Sequence, residues 1–249
     1  MPPFHELDLL RVSSLFSEEE ILIRDQVRQF VEDRILPVIG RHWESGTFPR
    51  EWCRELGELG LLGPSVPEEF GGAGLGAVAY GLICQELERG DSGVRSFASV
   101  QGALVMYPIH AFGNEEQKRA WLPRLASGEV VGCFGLTEPD FGSNPGGMRS
   151  RCRRAGDEWV LDGRKMWITN GSMAGVSVVW AKDEEGRVQG FLVEADRKGF
   201  QAPETGHKWS LRCSVTSERV LDGVRVPEAN RLPGTAGLKS ALSCLSQAR

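Results

Sequence analysis

The hydrophobic pattern of this chain changes its period at residue 130, and this change limits the possible folds more than any other feature. Before it, apolar residues recur every three or four positions, as in amphipathic helices. The segment 130–143, VVGCFGLTEPDFGS, begins instead with an apolar run of strand length that Pro139 ends. Strand-like runs then continue to about residue 226. The sequence therefore predicts an α+β protein with helices first and a sheet second.

Three parts are predicted along the chain. Residues 1–129 form a helical domain, and residues 130–234 form an antiparallel β domain, because no helical segment lies between its strands to support a parallel sheet. Residues 235–249 return to a helical pattern, with Leu242 on its apolar face. The strands are predicted at 130–137, 148–155, 158–162, 165–169, 176–182, 189–194 and 217–226.

Composition excludes several classes of function. A net charge of −5 gives no reason to expect a nucleic-acid surface, and no apolar run is long enough to span a membrane. The first ten residues, MPPFHELDLL, lack a secretory or transit pattern, so a cytoplasmic location is expected. Six cysteines are scattered without a CxxC pair, and only four histidines occur. We therefore expect no metal site and reduced, mostly buried thiols.

Polar residues follow two of the predicted strands. Thr137, Glu138 and Ser143 lie at the end of the first, with Gly142 beside them. The second is the short strand in KMWITNG at 165–171, in which Trp167 is followed by Thr169 at the strand end. Hydroxyls and free backbone groups at strand ends are suited to a flat, hydrogen-bonding ligand. Ordinary strands followed by loops also explain these residues, in which case Trp167 is a core aromatic.

Arg95 is the most informative single residue. It is the only charge between Gly93 and Tyr107, on a helix whose apolar residues cover most of its circumference. A buried guanidinium requires an anionic partner. With Ser96 adjacent and Ser99 one turn later, it could hold a carboxylate of a ligand. Internal pairing with Glu86 or Glu88, on the preceding helix, is the alternative.

FGLTEPDFGS and KMWITNG, together with PEEFGGAGLG at 67–76 and LDGVRVPEANRL at 221–232, resemble the acyl-CoA dehydrogenase family. RSFASVQGALVMYPI at 95–109 resembles the glutaryl-CoA branch of that family. The resemblance implies a helical N-terminal domain, a β domain and, at 235–249, the first helix of a C-terminal helical domain.

The resemblance also implies an FAD site. By this resemblance Trp167 would pack on the isoalloxazine, with Ile168 beside it, and Thr169 would hydrogen-bond near the flavin N5. The segment 134–143 lines the pyrimidine and pyrophosphate regions through Phe134, Gly135, Leu136, Thr137, Gly142 and Ser143.

For the substrate, the resemblance implies that Arg95, Ser96 and Ser99 bind the distal carboxylate of glutaryl-CoA, with Glu88 orienting Arg95. The CoA arm contacts Ser143, Leu242 and Arg249. The implied reaction is oxidation and decarboxylation to crotonyl-CoA, with electrons passed to an electron-transfer flavoprotein, in a homotetramer.

The family's general base is a glutamate on the C-terminal helical domain, and no glutamate of these 249 residues matches its motif. Two alternatives therefore stay open. One is a dehydrogenase for another acyl-CoA, with Arg95 paired to Glu88. The other is a non-catalytic fragment whose β domain serves only as a binding surface.

Overall fold

Helices and strands occupy successive parts of the chain, as the change of period predicts. The computed structural model describes residues 10–248. Two π-helical segments, Val31–Ile35 and Val100–Met106, are continuous with the α-helices beside them. The α-helices are α1 (Glu18–Phe30), α2 (Ile39–Ser45), α3 (Glu51–Glu58), α4 (Ala77–Gly90), α5 (Ser92–Ser99), α6 (Tyr107–Phe112), α7 (Glu115–Ala126) and α8 (Leu238–Ala248).

Side-chain caps mark where α1, α5 and α7 begin. The Ser17 hydroxyl accepts from the backbone N–H of Glu20, whose carboxylate accepts in turn from the backbone N–H of Ser17, which is a capping box at the start of α1. Asn114 and Gln117 form the same reciprocal pair before α7. Asp91 caps α5 by accepting from the backbone N–H of Gly93 at 2.7 Å.

α5, the second π-helical segment and α6 form one buried helical rod. Its interior includes Val105, Met106 and Ile109, which are fully buried, and this confirms the burial that the sequence predicts. The wide turn at Val100–Met106 directly precedes Tyr107 and Pro108. Proline has no N–H and its ring disturbs a regular α-helical ladder, so a wider turn is a suitable way to continue the helix here. Among residues 10–248, no helix combines the length and apolarity needed to cross a bilayer.

One curled sheet contains all seven strands that the structure describes. Their order is β1-β4-β2-β3-β7-β6, with β5 on β4. The strands are β1 (Gly132–Gly135), β2 (Arg151–Ala155), β3 (Glu158–Thr169), β4 (Val176–Lys182), β5 (Val188–Glu194), β6 (Phe200–Gln201) and β7 (Thr216–Pro227). Four pairings are antiparallel, as predicted.

The sheet is not antiparallel throughout. β1 runs parallel to β4, and Arg151 of β2 pairs in parallel with Lys182 at the end of β4. Parallel neighbours need a long crossover connection. The prediction considered only a helix for that role, whereas here the β2–β3 hairpin lies between β1 and β4 in the chain and supplies the crossover.

β3 is one strand of 12 residues, although the sequence predicts two. The predicted break lies between residues 162 and 165, but the pairing of β3 with β7 continues through it, with a register shift at Leu161/Gly163. A Cβ at Gly163 would lie 2.2 Å from the hydroxyl of Ser150, so glycine is required by a close approach. β6 was not predicted, since two residues are too short to show a period.

Helices and sheet share a hydrophobic core. Met106, Leu122 and Ile109 of the helical part belong to the same buried cluster as Val178 and Trp180 of β4. A buried amide reinforces this junction: Gln101 accepts from the Gly132 N–H at 2.8 Å and donates to the carbonyls of Leu125 and Val130. All three bonds are satisfied away from water, which fixes the start of β1 on the helical rod.

We expect Gly128→Ala to destabilise the protein by about 2 to 3 kcal/mol. Gly128 has φ +71°, and an added Cβ would lie 1.9 Å from the carbonyl oxygen of Cys53. Gly156→Ala is the matched control, because φ is +69° there and nothing lies within 4 Å. It should cost only the conformational penalty of about 1 kcal/mol. Urea unfolding measures both, and equal losses would exclude the Cys53 contact as the cause.

Candidate functional site

The two segments predicted to contact a cofactor lie side by side. The N–H of Met166, in β3, donates to the carbonyl of Thr137 at 2.8 Å, directly after β1. Thr137 and Thr169 are both half-buried, and Trp167 follows Met166. Hydroxyls from two strand ends and an indole therefore lie in one region of the surface.

Trp167 is held outward. It lies within the β3–β7 register shift between Lys165 and Ile168, has φ +61°, and its side chain is 57% exposed. The alternative of a core aromatic is therefore wrong. A bulky residue in the left-handed region is strained, and such strain is concentrated at functional sites. The exposed indole offers a flat apolar face to a flat ligand.

Four of the predicted cofactor residues are buried. Phe134 packs edge-on against Trp180, with ring centroids 6.1 Å apart, and Ile168 clusters with Cys133 and Ala174. Gly135 and Leu136 are buried beside Phe134. Since the Phe134, Leu136 and Ile168 side chains belong to the core, these residues can line a ligand only through their backbone groups.

A buried ion pair lies beneath these strand ends. The Lys165 ammonium lies 2.9 Å from the Glu138 carboxylate and also donates to the Leu136 carbonyl at 3.2 Å. Glu138 accepts two further bonds, from the backbone N–H groups of Arg149 and Ser150. Glu138 is visible in the sequence as a polar residue at a strand end, whereas the role of Lys165 is not, because its only signal is a lysine within a strand.

These donors also decide the charge of Glu138. Burial opposes its ionisation, but the Lys165 charge and the hydrogen bonds from Lys165 and the 149–150 segment lower the pKa of the Glu138 carboxyl to about 2. The carboxylate is therefore ionised at neutral pH and holds the loop that begins at Glu138.

That loop presents the remaining predicted residues to solvent. Gly142 and Ser143 are exposed, as expected for residues that meet a ligand. Arg149 closes the loop from outside, with its guanidinium 3.2 Å from Asp140 and 5.4 Å from the Phe141 ring centroid. Both contacts are at the surface, so their contribution to stability is small.

Arg95 is paired with Glu88. Its Nε donates to the Glu88 carboxylate at 2.6 Å, and its side chain is 36% exposed, so Arg95 is less buried than its sequence context predicts. Glu86, the other predicted partner, is instead held by Arg28 and Arg89. Within residues 10–248 the two terminal nitrogens of Arg95 have no hydrogen-bond partner, which leaves a guanidinium fork available.

Ser99 lies beside this fork. It is buried, and its hydroxyl oxygen accepts from the Tyr80 phenol of α4 at 3.3 Å. Ser96 is half-buried on the same helix. The sequence does not predict a role for Tyr80, because its contact with Ser99 depends on how α4 packs against α5.

A cavity of about 260 Å³ adjoins this cluster. Tyr80 forms part of its wall, together with Gly102, Ala103 and Tyr107 of the buried rod, and Gln247 contributes from α8. Leu242, also on α8, is 42% exposed. Arg249, the other predicted CoA contact, lies outside the described residues.

The described residues hold no group of three or more His, Cys, Asp or Glu side chains that could bind a metal ion. All six cysteines are free; Cys84 is half-buried and the other five are buried. The burial expected for most of the thiols is therefore confirmed.

Two family models match the chain. Residues 17–129 match the acyl-CoA dehydrogenase N-terminal domain, and residues 133–224 match the acyl-CoA dehydrogenase middle domain.

Solved structures and curated relatives give the same result. Two crystal structures of glutaryl-CoA dehydrogenase from Mycobacterium smegmatis are 54% and 57% identical to the chain, with TM-scores of 0.95 and 0.94. Each alignment covers 97% of this chain and 62% of the other, and the 54% identical structure is a complex with FADH2. Rat mitochondrial short-chain specific acyl-CoA dehydrogenase is 34% identical over 97% of this chain and 61% of its own length. The chain thus spans less than two thirds of these relatives.

Proposed function

Since this chain belongs to the acyl-CoA dehydrogenase family, we propose that it is the FAD- and substrate-binding part of an oxidoreductase that converts glutaryl-CoA to crotonyl-CoA and CO2. The observation that carries the substrate assignment is the free Arg95 fork beside the Ser99 hydroxyl. A second carboxylate is the feature that distinguishes glutaryl-CoA from monocarboxylate thioesters, and a guanidinium fork with a hydroxyl is a suitable receptor for it.

The residues present fit a flavin. Trp167 offers an exposed indole face, and Thr137 and Thr169 bring hydroxyls to the same region. Phe134, Gly135, Leu136 and Ile168 would contribute backbone groups, and Gly142 and Ser143 would meet the phosphate side. When bound, FAD supplies the oxidant that accepts a hydride from the substrate. The chain's own contribution is to hold the ring system against Trp167 and to exclude water from one face.

The remaining assignments follow from the family. Ser143, Leu242 and Arg249 would contact the CoA arm, and Ser96 and Glu88 would complete the carboxylate site. The general base would be a glutamate of a C-terminal helical domain. We also propose that an electron-transfer flavoprotein accepts the electrons and that the whole protein is a homotetramer.

One observation favours a second candidate. The Arg95–Glu88 pair at 2.6 Å balances the Arg95 charge without any ligand, so a dehydrogenase for a monocarboxylate acyl-CoA could carry the same arginine. The two candidates differ in what Arg95 does for a substrate that has a second carboxylate, and substitution of Arg95 separates them.

The proposed function is tested by two successive titrations of the purified chain. FAD should bind and remain bound through gel filtration, with flavin absorbance near 450 nm. The FAD-loaded protein is then titrated calorimetrically with 3-thiaglutaryl-CoA, in which sulphur replaces the carbon that would lose the hydride, so that binding occurs without oxidation. We expect it to bind at least tenfold more tightly than 3-thiabutyryl-CoA, which lacks the second carboxylate. Equal affinities would reject the glutaryl-CoA assignment.

Trp167→Ala tests the flavin site. We expect FAD affinity to fall about tenfold, because stacking on an aromatic ring is lost, while the free energy of unfolding changes by less than about 0.5 kcal/mol at this exposed position. Trp209→Ala is the control, since Trp209 is 97% exposed and outside the predicted site. Fluorescence titration measures FAD affinity and urea unfolding measures stability. Identical affinities for the two variants would remove Trp167 from the site.

A further inference from the structure

We propose that Tyr80 is a positioning residue that makes Ser99 a donor to the distal carboxylate and so contributes to selection of dicarboxylate thioesters. This inference rests on the proposed function, because it concerns the same acid-binding site. It adds a residue on α4 that has no role in the assignments above.

One face of α4 supplies a partner for each of the two carboxylate ligands on α5. Tyr80 and Glu88 are eight residues apart, about two helical turns, and therefore lie on the same face. Glu88 holds Arg95 through Nε, and Tyr80 holds Ser99 through its hydroxyl oxygen at 3.3 Å. Each of these two α4 side chains thus holds one α5 side chain in place, as supporting residues do for a binding site.

The charges explain why neutral donors matter here. Although burial opposes its ionisation, hydrogen bonds from Ser92 and Arg95 lower the pKa of the Glu88 carboxyl, so the Arg95–Glu88 pair is ionised and its net charge is zero. A substrate carboxylate therefore meets no excess positive charge. Hydroxyl donors must then provide part of its hydrogen bonding, and Ser99 is the buried hydroxyl beside Arg95.

Tyr80 is suited to give Ser99 the donor role. Burial raises the pKa of Tyr80 to about 12, so the phenol keeps its proton throughout the neutral range. Because Tyr80 donates to the Ser99 oxygen, the Ser99 hydrogen is free to point elsewhere, and hydrogen bonds in such a chain strengthen one another. The Cys84 thiol, one turn from Tyr80, is also hydrogen-bonded to the Tyr80 hydroxyl; burial raises the pKa of Cys84, so the thiol stays neutral and adds no competing anion.

Tyr80 also connects the acid site to the cavity. Its side chain lines the cavity of about 260 Å³ that Gly102 and Ala103 border, while its hydroxyl reaches Ser99. The ring thus belongs to the wall, and the hydroxyl belongs to the acid site. Tyr80→Phe separates these two roles, since it keeps the ring and removes the hydroxyl with its hydrogen bonds to Ser99 and Cys84.

The test measures affinities of FAD-loaded variants for 3-thiaglutaryl-CoA and 3-thiabutyryl-CoA. We expect Tyr80→Phe to lower the affinity for 3-thiaglutaryl-CoA about tenfold and to change the affinity for 3-thiabutyryl-CoA less than twofold. Tyr107→Phe is the matched control, because Tyr107 lines the same cavity, whereas the phenol that hydrogen-bonds Ser99 is that of Tyr80. It should change neither affinity by more than twofold. Ser99→Ala should produce the same selective loss, and adding Tyr80→Phe to it should cost less than a further twofold.

Each other result overturns the inference. Equal losses for both ligands would make Tyr80 a wall residue only, and a full tenfold loss in the Ser99→Ala background would show that it does not act through Ser99. If Tyr80→Phe does not fold, Ser99→Ala still tests the selective donor role of Ser99 that the inference requires. Equal losses of affinity for both ligands in Ser99→Ala contradict the inference. Failure of the proposed function is seen separately, as equal affinities of the unaltered protein for the two ligands.

Discussion

Replacing Lys165 with methionine is expected to lower the free energy of unfolding by about 3 kcal/mol. Methionine preserves most of the side-chain volume but leaves Glu138 as a buried carboxylate whose nearest cation is gone. The Lys165 side chain is fully buried, so no water can replace it without opening the β domain. Glu138 retains two backbone donors, from Arg149 and Ser150, which keeps the loss at the lower end for a broken buried pair.

Two further variants separate charge from packing. Lys182→Met removes a lysine that is only partly buried and donates to the Gly146 carbonyl, so it should cost no more than about 1 kcal/mol. Adding Glu138→Gln to Lys165→Met removes the stranded charge and should recover about half of the loss. Urea unfolding at pH 7 measures all three variants. Equal losses of unfolding free energy in Lys165→Met and Lys182→Met would show that the unpaired Glu138 charge does not cause the destabilisation.

The same pair produces a dependence of stability on pH. The pKa of Glu138 is about 2 in the folded protein, below its ordinary value of 4.5. Its contribution to stability is therefore complete above pH 4.5 and is lost as the pH falls from about 4.5 to about 2. Lys165→Met raises the pKa of the Glu138 carboxyl in the folded protein, toward its ordinary value. We therefore expect the variant to lose less stability than the unaltered protein as the pH falls from about 4.5 to about 2. Unfolding midpoints at several acid pH values test the change in slope.

Arg95→Ala is expected to weaken 3-thiaglutaryl-CoA binding about 100-fold and to leave 3-thiabutyryl-CoA within threefold. The loss combines the missing guanidinium fork with repulsion from Glu88, which stays ionised beside the ligand carboxylate. The control is Arg89→Ala: Arg89 is 33% exposed against 36% for Arg95, and it also pairs with a glutamate of α4. Calorimetric titration gives both affinities. Equal losses for the two ligands would favour the second candidate, in which Arg95 only balances Glu88.

The sequence predicts most of the fold because its strongest signals are local. The change of period at residue 130, the capping boxes and the apolar run at 176–182 depend on residues within one or two turns, and the structure contains each of them. The parallel pairing of β1 with β4 depends on which strands meet across more than 40 residues. No local pattern encodes that choice.

The candidate site divides in the same way. The sequence identifies Trp167 and Arg95 from their neighbours along the chain. Trp167 is an aromatic residue next to polar strand ends, and Arg95 is a lone charge on an apolar helix. The partners of these residues are not visible. Choosing Glu88 over Glu86, finding Tyr80 behind Ser99 and pairing Lys165 with Glu138 all require knowing how two elements pack.

The Glu138 carboxylate also turns the following loop into a closed ring. It accepts from a backbone N–H 11 residues later, so both ends of the exposed segment with Gly142 and Ser143 are fastened to one group. The entropic cost of closing such a ring grows slowly with its length, by about 0.6 kcal/mol for each doubling of the number of residues. Residues could therefore be inserted or removed between the two anchors at little cost to folding. The reach of this loop toward a ligand can change in length while the sheet beneath it stays the same.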